Sequence, residues 1–485
     1  YRFAPPLESG ASVAARWDFS WRNDGFENTE RSNAVAANGT YLDGPTIMPD
    51  LRFDPERGLS DPAARSRQGL PPRRRLPDLD DPEARRARTP GMMLGNVRMV
   101  LGTSADQTAV APGVLQREWS GGGRHYFEYR AGLAAGLAFG SARYEVARDS
   151  ASGIPIEIYH DAKHAAAVPT IMSTVKQGLE YYAQEFGPYV FGSFRIFEYP
   201  RYSTVVDARL GVIAYPEGAG FFSRFPDRRV DFVIAHELGH MWWGGQVRSQ
   251  PLQGMLVLTE TLASYSALIL AEHVGGKAAA YPHTAALRDQ YLDSRSRQSV
   301  EELPVVRSET AIAGTKGVLV LYALRDALGA NRMDLALRRF IEKYGNRPPP
   351  NPTTRELVAE LRAVAGDEDQ ALITALLERI TFYDVAVTGA EARAAGDGYE
   401  VTIDVAARQL DADGAGIETE VPLAAPFDVA VFAAGSDEPL YLAKHRLTTG
   451  SQRLVVHVPA RPTRVVVDPY RLMIDRNIGD NSRGL

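Results

Sequence analysis

The pentad His236-Glu237-Leu238-Gly239-His240 can bring both of its imidazoles to one point only if it is helical. Positions i and i+4 of a helix lie one above the other on the same face. Glu237 is then offset around the helix. It can reach a water on a metal ion held by the histidines without being a ligand itself. Two histidine ligands, an open coordination position and a carboxylate base are what metal-assisted hydrolysis requires. The apolar run 230–235 leads into the pentad, Met241-Trp242-Trp243 follows it, and Gly244-Gly245 marks the expected helix end. A buried helix with His, Glu and His on one side must satisfy those groups, and a metal does so.

Zinc hydrolases usually take three protein ligands and leave the fourth position to water. The extended pattern H-E-x-x-H-x-x-G-x-x-H is excluded, because Trp243 stands where it needs glycine and Gln246 where it needs the last histidine. The alternative is a carboxylate on a following helix. The run 256–270 is almost continuously apolar, with Glu260 as its one charge. Such a helix is expected to be buried, and a lone buried carboxylate costs several kcal/mol unless it is paired or bound to metal. Glu260 is therefore the expected third ligand. Glu272, near the helix end beside His273, is the second candidate.

The run HELGHMWWGGQV followed by VLTETLASYSALI resembles the aminopeptidase N and leukotriene-hydrolase family of zinc metallopeptidases, the gluzincins. That family carries H-E-x-x-H, eighteen residues, then Glu; here the nineteen residues 241–259 separate His240 from Glu260. The added residue resembles one branch in particular, the peptidase-like domains fused behind the membrane segments of bacterial ABC-type permeases. Asn38-Gly39-Thr40-Tyr41, the run 105–113 and the tail Ile474-Asp475-Arg476-Asn477 are similar to the same branch. The resemblance implies one Zn²⁺ on His236, His240 and Glu260, with Glu237 as general base. It also implies that Glu217, in Ala214-Tyr215-Pro216-Glu217-Gly218, is the counterpart of a glutamate that holds the substrate's free amino group. A carboxylate there would select peptides with a charged N-terminus.

One position departs from the family. Its Y-x-K-G segment places a tyrosine hydroxyl on the oxyanion, whereas this chain reads Gly314-Thr315-Lys316-Gly317. Losing one oxyanion donor costs about 10²–10³ in turnover. Three readings follow: slow turnover, substitution by another group, or a domain that binds peptides without cutting them. Tyr265 and Tyr322 are the nearby tyrosines to test.

Composition sets the remaining bounds. At 485 residues the chain exceeds one core. A net charge of −6 gives no basic footprint for nucleic acid. Cysteine is absent, so disulfides and thiol chemistry are excluded. Of the 54 basic residues six are lysine, a skew that suggests a GC-rich bacterial source. No run reaches the roughly 18 apolar residues of a membrane span, and no signal peptide is visible. The fused branch would place the chain outside the cytoplasm, in the periplasm, behind a permease.

The patterns predict an α+β multidomain chain. Residues 1–150 form a β-rich domain with a long loop at 54–92. Residues 151–380 form a thermolysin-like mixed catalytic domain with helices over 170–187, 317–345 and 353–380. Residues 381–485 form a small β-sandwich. The functions open at this point are a zinc aminopeptidase, a zinc-bearing peptide-binding domain of a membrane transporter, and a structural module without metal.

Overall fold

The computed structural model describes residues 8, 11–14, 16–22, 34–43, 59, 62–71, 75–87, 95–134, 138–200, 206–218, 230–297, 301–309, 312–423 and 425–485. They fall into two compact units. The first comprises Tyr1–Arg75, Met92–Lys176 and Val190–Asp231; the second comprises Leu76–Gly91, Gln177–Tyr189 and Phe232–Leu485.

The first unit is built from three sheets. Gly95–Ser104, Arg124–Ala134 and Val114–Gly121 form an antiparallel sheet with Arg124–Ala134 in the middle. Residues 121–123 close a hairpin between Val114–Gly121 and Arg124–Ala134. Gly122 and Gly123 both take positive φ, which lets the chain reverse in two residues. One face of this sheet buries Met99, Phe127 and Tyr129 against Ala109 and Ala111. A five-stranded mixed sheet runs in the order Asp207–Arg209, Val212–Pro216, Phe194–Tyr199, Ile154–His160, Glu145–Ala151. Its middle three strands are parallel and its outer two antiparallel. Phe194–Tyr199 is buried at every position, as expected of a central strand covered on both faces. A four-stranded sheet packs against it. Tyr41 stacks on Tyr199 at 4.2 Å, and a side chain at Gly140 would meet the Phe197 ring at 2.5 Å.

The stretch expected to be a loop at 54–92 contains two short helices, Pro62–Arg67 and Pro82–Arg86. Asp81 caps the second by accepting from the Glu83 and Ala84 amides. Residues 54–58, 60–61, 72–74 and 88–92 lie outside the described set.

In the second unit helices precede sheets. The helices are α1 (Val168–Phe186, in this unit from Gln177), α2 (Val230–Gly239), α3 (Leu262–Arg297), α4 (Val318–Leu328), α5 (Ala330–Tyr344) and α6 (Thr354–Val364). Helix α3 is broken at Gly275 and Gly276, the latter at φ +70°. Helix α6 opens with a capping box in which the Thr353 amide donates to Glu356 and the Arg355 amide to Thr353. It stops at Val364 rather than running to 380; after Gly366 the chain resumes a short helix, Gln370–Ile373, and a π-helical turn, Thr374–Glu378, before the first strand.

That strand, Ile380–Ala395, pairs with Gly398–Ala412, which Glu418–Val421 and Gly450–Val458 flank. The other sheet is Pro439–Arg446, Pro426–Phe432, Arg464–Val467, Ser482–Gly484. Val385, Val401, Ile403 and Val405 from the first sheet, and Val429, Val431, Val465 and Val467 from the second, are buried. The Tyr383 ring meets Phe427 edge-on at 5.6 Å. This is the small sandwich that the alternating patterns predict.

Candidate metal centre

The second unit brings His236, His240 and Glu260 together. The two imidazole Nε2 atoms are 3.1 Å apart, and each lies 3.6 Å from Glu260 Oε2. Tetrahedral ligands at about 2.0–2.2 Å from one ion stand about 3.3–3.6 Å apart, so this triangle has the size that zinc ligands make. The opposite ring nitrogens are held. His240 Nδ1 donates to the Trp243 carbonyl at 3.1 Å, and His236 Nδ1 lies 2.9 Å from Ser264 Oγ. With the protons on Nδ1, both Nε2 lone pairs face Glu260. Two lone pairs at 3.1 Å repel unless a cation lies between them. The donor set therefore fits a zinc ion.

Packing explains why the helices meet at this distance. A Cβ at Gly239 would lie 3.0 Å from Ala263 Cα and 3.1 Å from its carbonyl oxygen, so glycine lets the backbones of α2 and α3 approach closely. On the other side Leu238 fills the space beside Gly178 of α1, where a Cβ would be 2.5 Å away. Tyr182 donates to the Ala235 carbonyl at 3.1 Å. Trp243 and Gln246, the residues that excluded the longer histidine pattern, are buried and donate to Ser266 and to the Pro188 carbonyl.

Two local expectations change. Helix α2 ends at Gly239, before Gly244. His240 keeps its helical bond to the His236 carbonyl at 3.3 Å, and the chain then turns, with Gly244 at φ +96° bonded to Val247. Glu260 is not sunk in an apolar helix: its side chain is 47% exposed. Val257, Leu258, Thr261 and Leu262 are buried, whereas Glu260 faces the histidines. Glu260 sits in a π-helical turn, Val257–Thr261, closed by the Leu262 amide on the Val257 carbonyl. Such a turn takes up one more residue than an α-turn.

Burial works against charge on Glu260, but the two histidines outweigh it and hold the carboxyl well below the usual carboxylate range. Burial also depresses His240, and the charges of Glu260 and Glu237 outweigh that and raise it. Glu237 itself is buried on α2.

Glu217 lies in the first unit, directly after the strand Val212–Pro216. It forms a second trio there with His164 and Glu198, all three buried. Glu217 Oε2 accepts from Asn38 Nδ2 at 3.2 Å. Glu198 takes a direct hydrogen bond with His164 Nδ1 on one oxygen and accepts the Asp161 amide at 2.7 Å on the other. Burial first, and then the charge of Glu198, raises the Glu217 carboxyl above its ordinary range.

Gly314 lies in another π-helical turn, Ala313–Gly317. Among the described residues no heavy atom lies within 4 Å of a Cβ built there. Tyr265 is fully buried, and beyond burial the groups acting on it are Arg325, Asp334 and Tyr181. Those acting on Tyr322 are Glu272, Asp326 and Arg325. Glu272, the second ligand candidate, belongs with Tyr322.

Residues 172–377, which hold all of these ligands, match the Peptidase family M1 domain. This part of the chain is similar to M1 peptidase domains. A curated relative is aminopeptidase M1-C of Oryza sativa subsp. japonica, 23% identical over 242 residues, which cover 46% of this chain and 27% of that protein. The chain thus spans about a quarter of the length of that relative. Sequence reasoning singles out His236, His240, Glu260 and Glu217, of which the structure brings the first three together. It missed Ser264, Gly239, Asn38, His164 and Glu198, because each acts through a neighbour distant in sequence.

Proposed function

We propose that the chain is a zinc-dependent aminopeptidase that removes N-terminal residues from peptides. The observation that carries this is the triangle of His236 Nε2, His240 Nε2 and Glu260 Oε2 with both Nδ1 atoms anchored. A bound zinc ion supplies Lewis acidity, lowering the pKa of water to about 7 and polarising a carbonyl. Glu237, one residue from a ligand on the same helix, accepts the water's proton and returns it to the leaving amine. Glu217 holds the substrate's ammonium group through its carboxylate.

The expected result is cleavage of free-amine aminoacyl substrates, not N-blocked ones, by the zinc-loaded protein. Glu237→Gln should lower kcat about 10²–10⁴-fold. Equal rates for the two proteins would overturn the reading. The space at Gly314 favours a second reading, a peptide-binding domain of a transporter with little turnover. It predicts peptide binding without a difference between the two proteins. The likeness of 38–41, 105–113 and 474–477 to permease-fused domains supports a place outside the cytoplasm, attached to an ABC-type permease. Among the described residues no helix is long and apolar enough to cross a membrane.

A further inference from the structure

The two π-helical turns meet. Thr261, wholly buried, donates from Oγ1 to the Ala313 carbonyl at 2.5 Å. Gly317 lies so close that a Cβ there would be 2.8 Å from Thr261 Cγ2 and 2.9 Å from its Oγ1. The second turn is anchored from behind by Lys316. Its ammonium is buried and donates to Glu302 Oε1 and Tyr291 Oη, each at 3.2 Å, and lies 5.3 Å from the Phe382 ring on the first strand of the sandwich. Glu302 is fixed in turn by Arg295 at 2.8 Å and by the Tyr291 hydroxyl at 2.8 Å.

A π-turn has one residue more than the helix around it. Its register therefore depends on what holds it. Glu260 is the residue before Thr261 and has a half-exposed side chain, so its own packing does not fix its direction. Gly244 touches the same turn from the other side, where a Cβ would be 3.6 Å from Thr259 Cγ2.

We infer that Thr261, braced by Lys316 through the turn Ala313–Gly317, is a positioning residue that aims the Glu260 carboxylate at the two histidines. This rests on the proposed metal centre. It assigns the segment that lacks the family's tyrosine a role in metal retention, and it makes metal affinity depend on the sandwich that carries Phe382.

The test is zinc affinity, measured by competition with a chromophoric chelator, together with the visible absorption of the cobalt-substituted protein. Groups that orient a metal ligand are worth about 10–100-fold in affinity. Thr261→Val, which keeps the shape and removes the donor, should weaken zinc by that factor and alter the cobalt spectrum. Thr261→Ser, which keeps the donor, should restore both. Gly317→Ala, which keeps the hydroxyl but crowds Thr261 from the facing turn, should weaken zinc in the same sense. It serves as the test if Thr261→Val does not fold. Wild-type zinc affinity in Thr261→Val or Gly317→Ala overturns the inference, as does equal weakening in Thr261→Val and Thr261→Ser. A wild-type protein that binds no zinc overturns the metal centre instead.

Discussion

Among the described residues each unit assembles one histidine–glutamate trio, and the two trios are built in opposite ways. In the sheet-rich unit His164 and Glu198 hydrogen-bond directly, and Glu198 and Glu217 also take donors from Asp161 and Asn38. In the helical unit the corresponding carboxylate stays 3.6 Å from both imidazoles, and each imidazole is held from its far side. In the first trio a histidine and a carboxylate touch directly. The second leaves a gap the size of an ion at the point where three lone pairs converge. Residue types alone do not separate a metal site from a buried polar network; the distances between donors do.

Zinc affinity tests that contrast most severely. Glu260→Gln should weaken zinc by more than about 100-fold, exceeding the effect of an outer-shell change. Glu198→Gln should leave both stoichiometry and affinity at the wild-type value. Loss of zinc in Glu198→Gln would break the distinction between the trios. Next in size, Ser264→Ala should weaken zinc about 10–100-fold by releasing the His236 ring. Equilibrium dialysis against buffered zinc measures both.

A smaller effect is expected on unfolding. Zinc at about 100 times its Kd should stabilise the protein by about 2.7 kcal/mol. His236→Ala should abolish that increment in denaturant titrations, and His164→Ala should retain it. The least effect is on pH dependence. The Glu217 carboxyl is raised by burial and by Glu198, so it takes up its proton at a higher pH than an ordinary carboxylate. Acidification should therefore raise KM for free-amine substrates before it affects a normal carboxylate. The linked stability runs the other way: it is fully present below the unfolded value of 4.5 and is lost as pH rises through the folded one. KM profiles of wild type and Asn38→Ala would show this, the variant losing one donor that favours the ionised form.

The two trios also differ in how far the sequence reveals them. His236, Glu237 and His240 are legible because helical periodicity alone superposes them, and Glu260 because it is a single charge in an apolar run. The strands are legible wherever they alternate, as in 124–130 and 399–405. Glu217 is legible only through family resemblance, since its partners come from residues 38, 164 and 198 and no local pattern joins them. The position of Glu260 on the surface of its helix was not legible either. An apolar run reads as buried throughout, and no local pattern announces the π-turn that carries Glu260. Helix α2 stops early for a similar reason: the bond that ends it joins Gly244 to Val247, beyond the periodic stretch.

The close approach at Gly239 carries a consequence for how this motif can vary. In the pattern H-E-x-x-H the two middle positions are formally free. In this protein the second of them is closed, because even a methyl group at 239 would press on the Ala263 backbone at 3.0 Å. The residue with the smallest side chain in the pentad thus acts as the spacer that sets how far the third ligand stands from the first two. A library randomised at 238 and 239 should accept several apolar residues at the first position and return glycine at the second. Enlarging position 239 step by step would widen the gap between the ligands, tuning the site by distance while leaving every ligand in place.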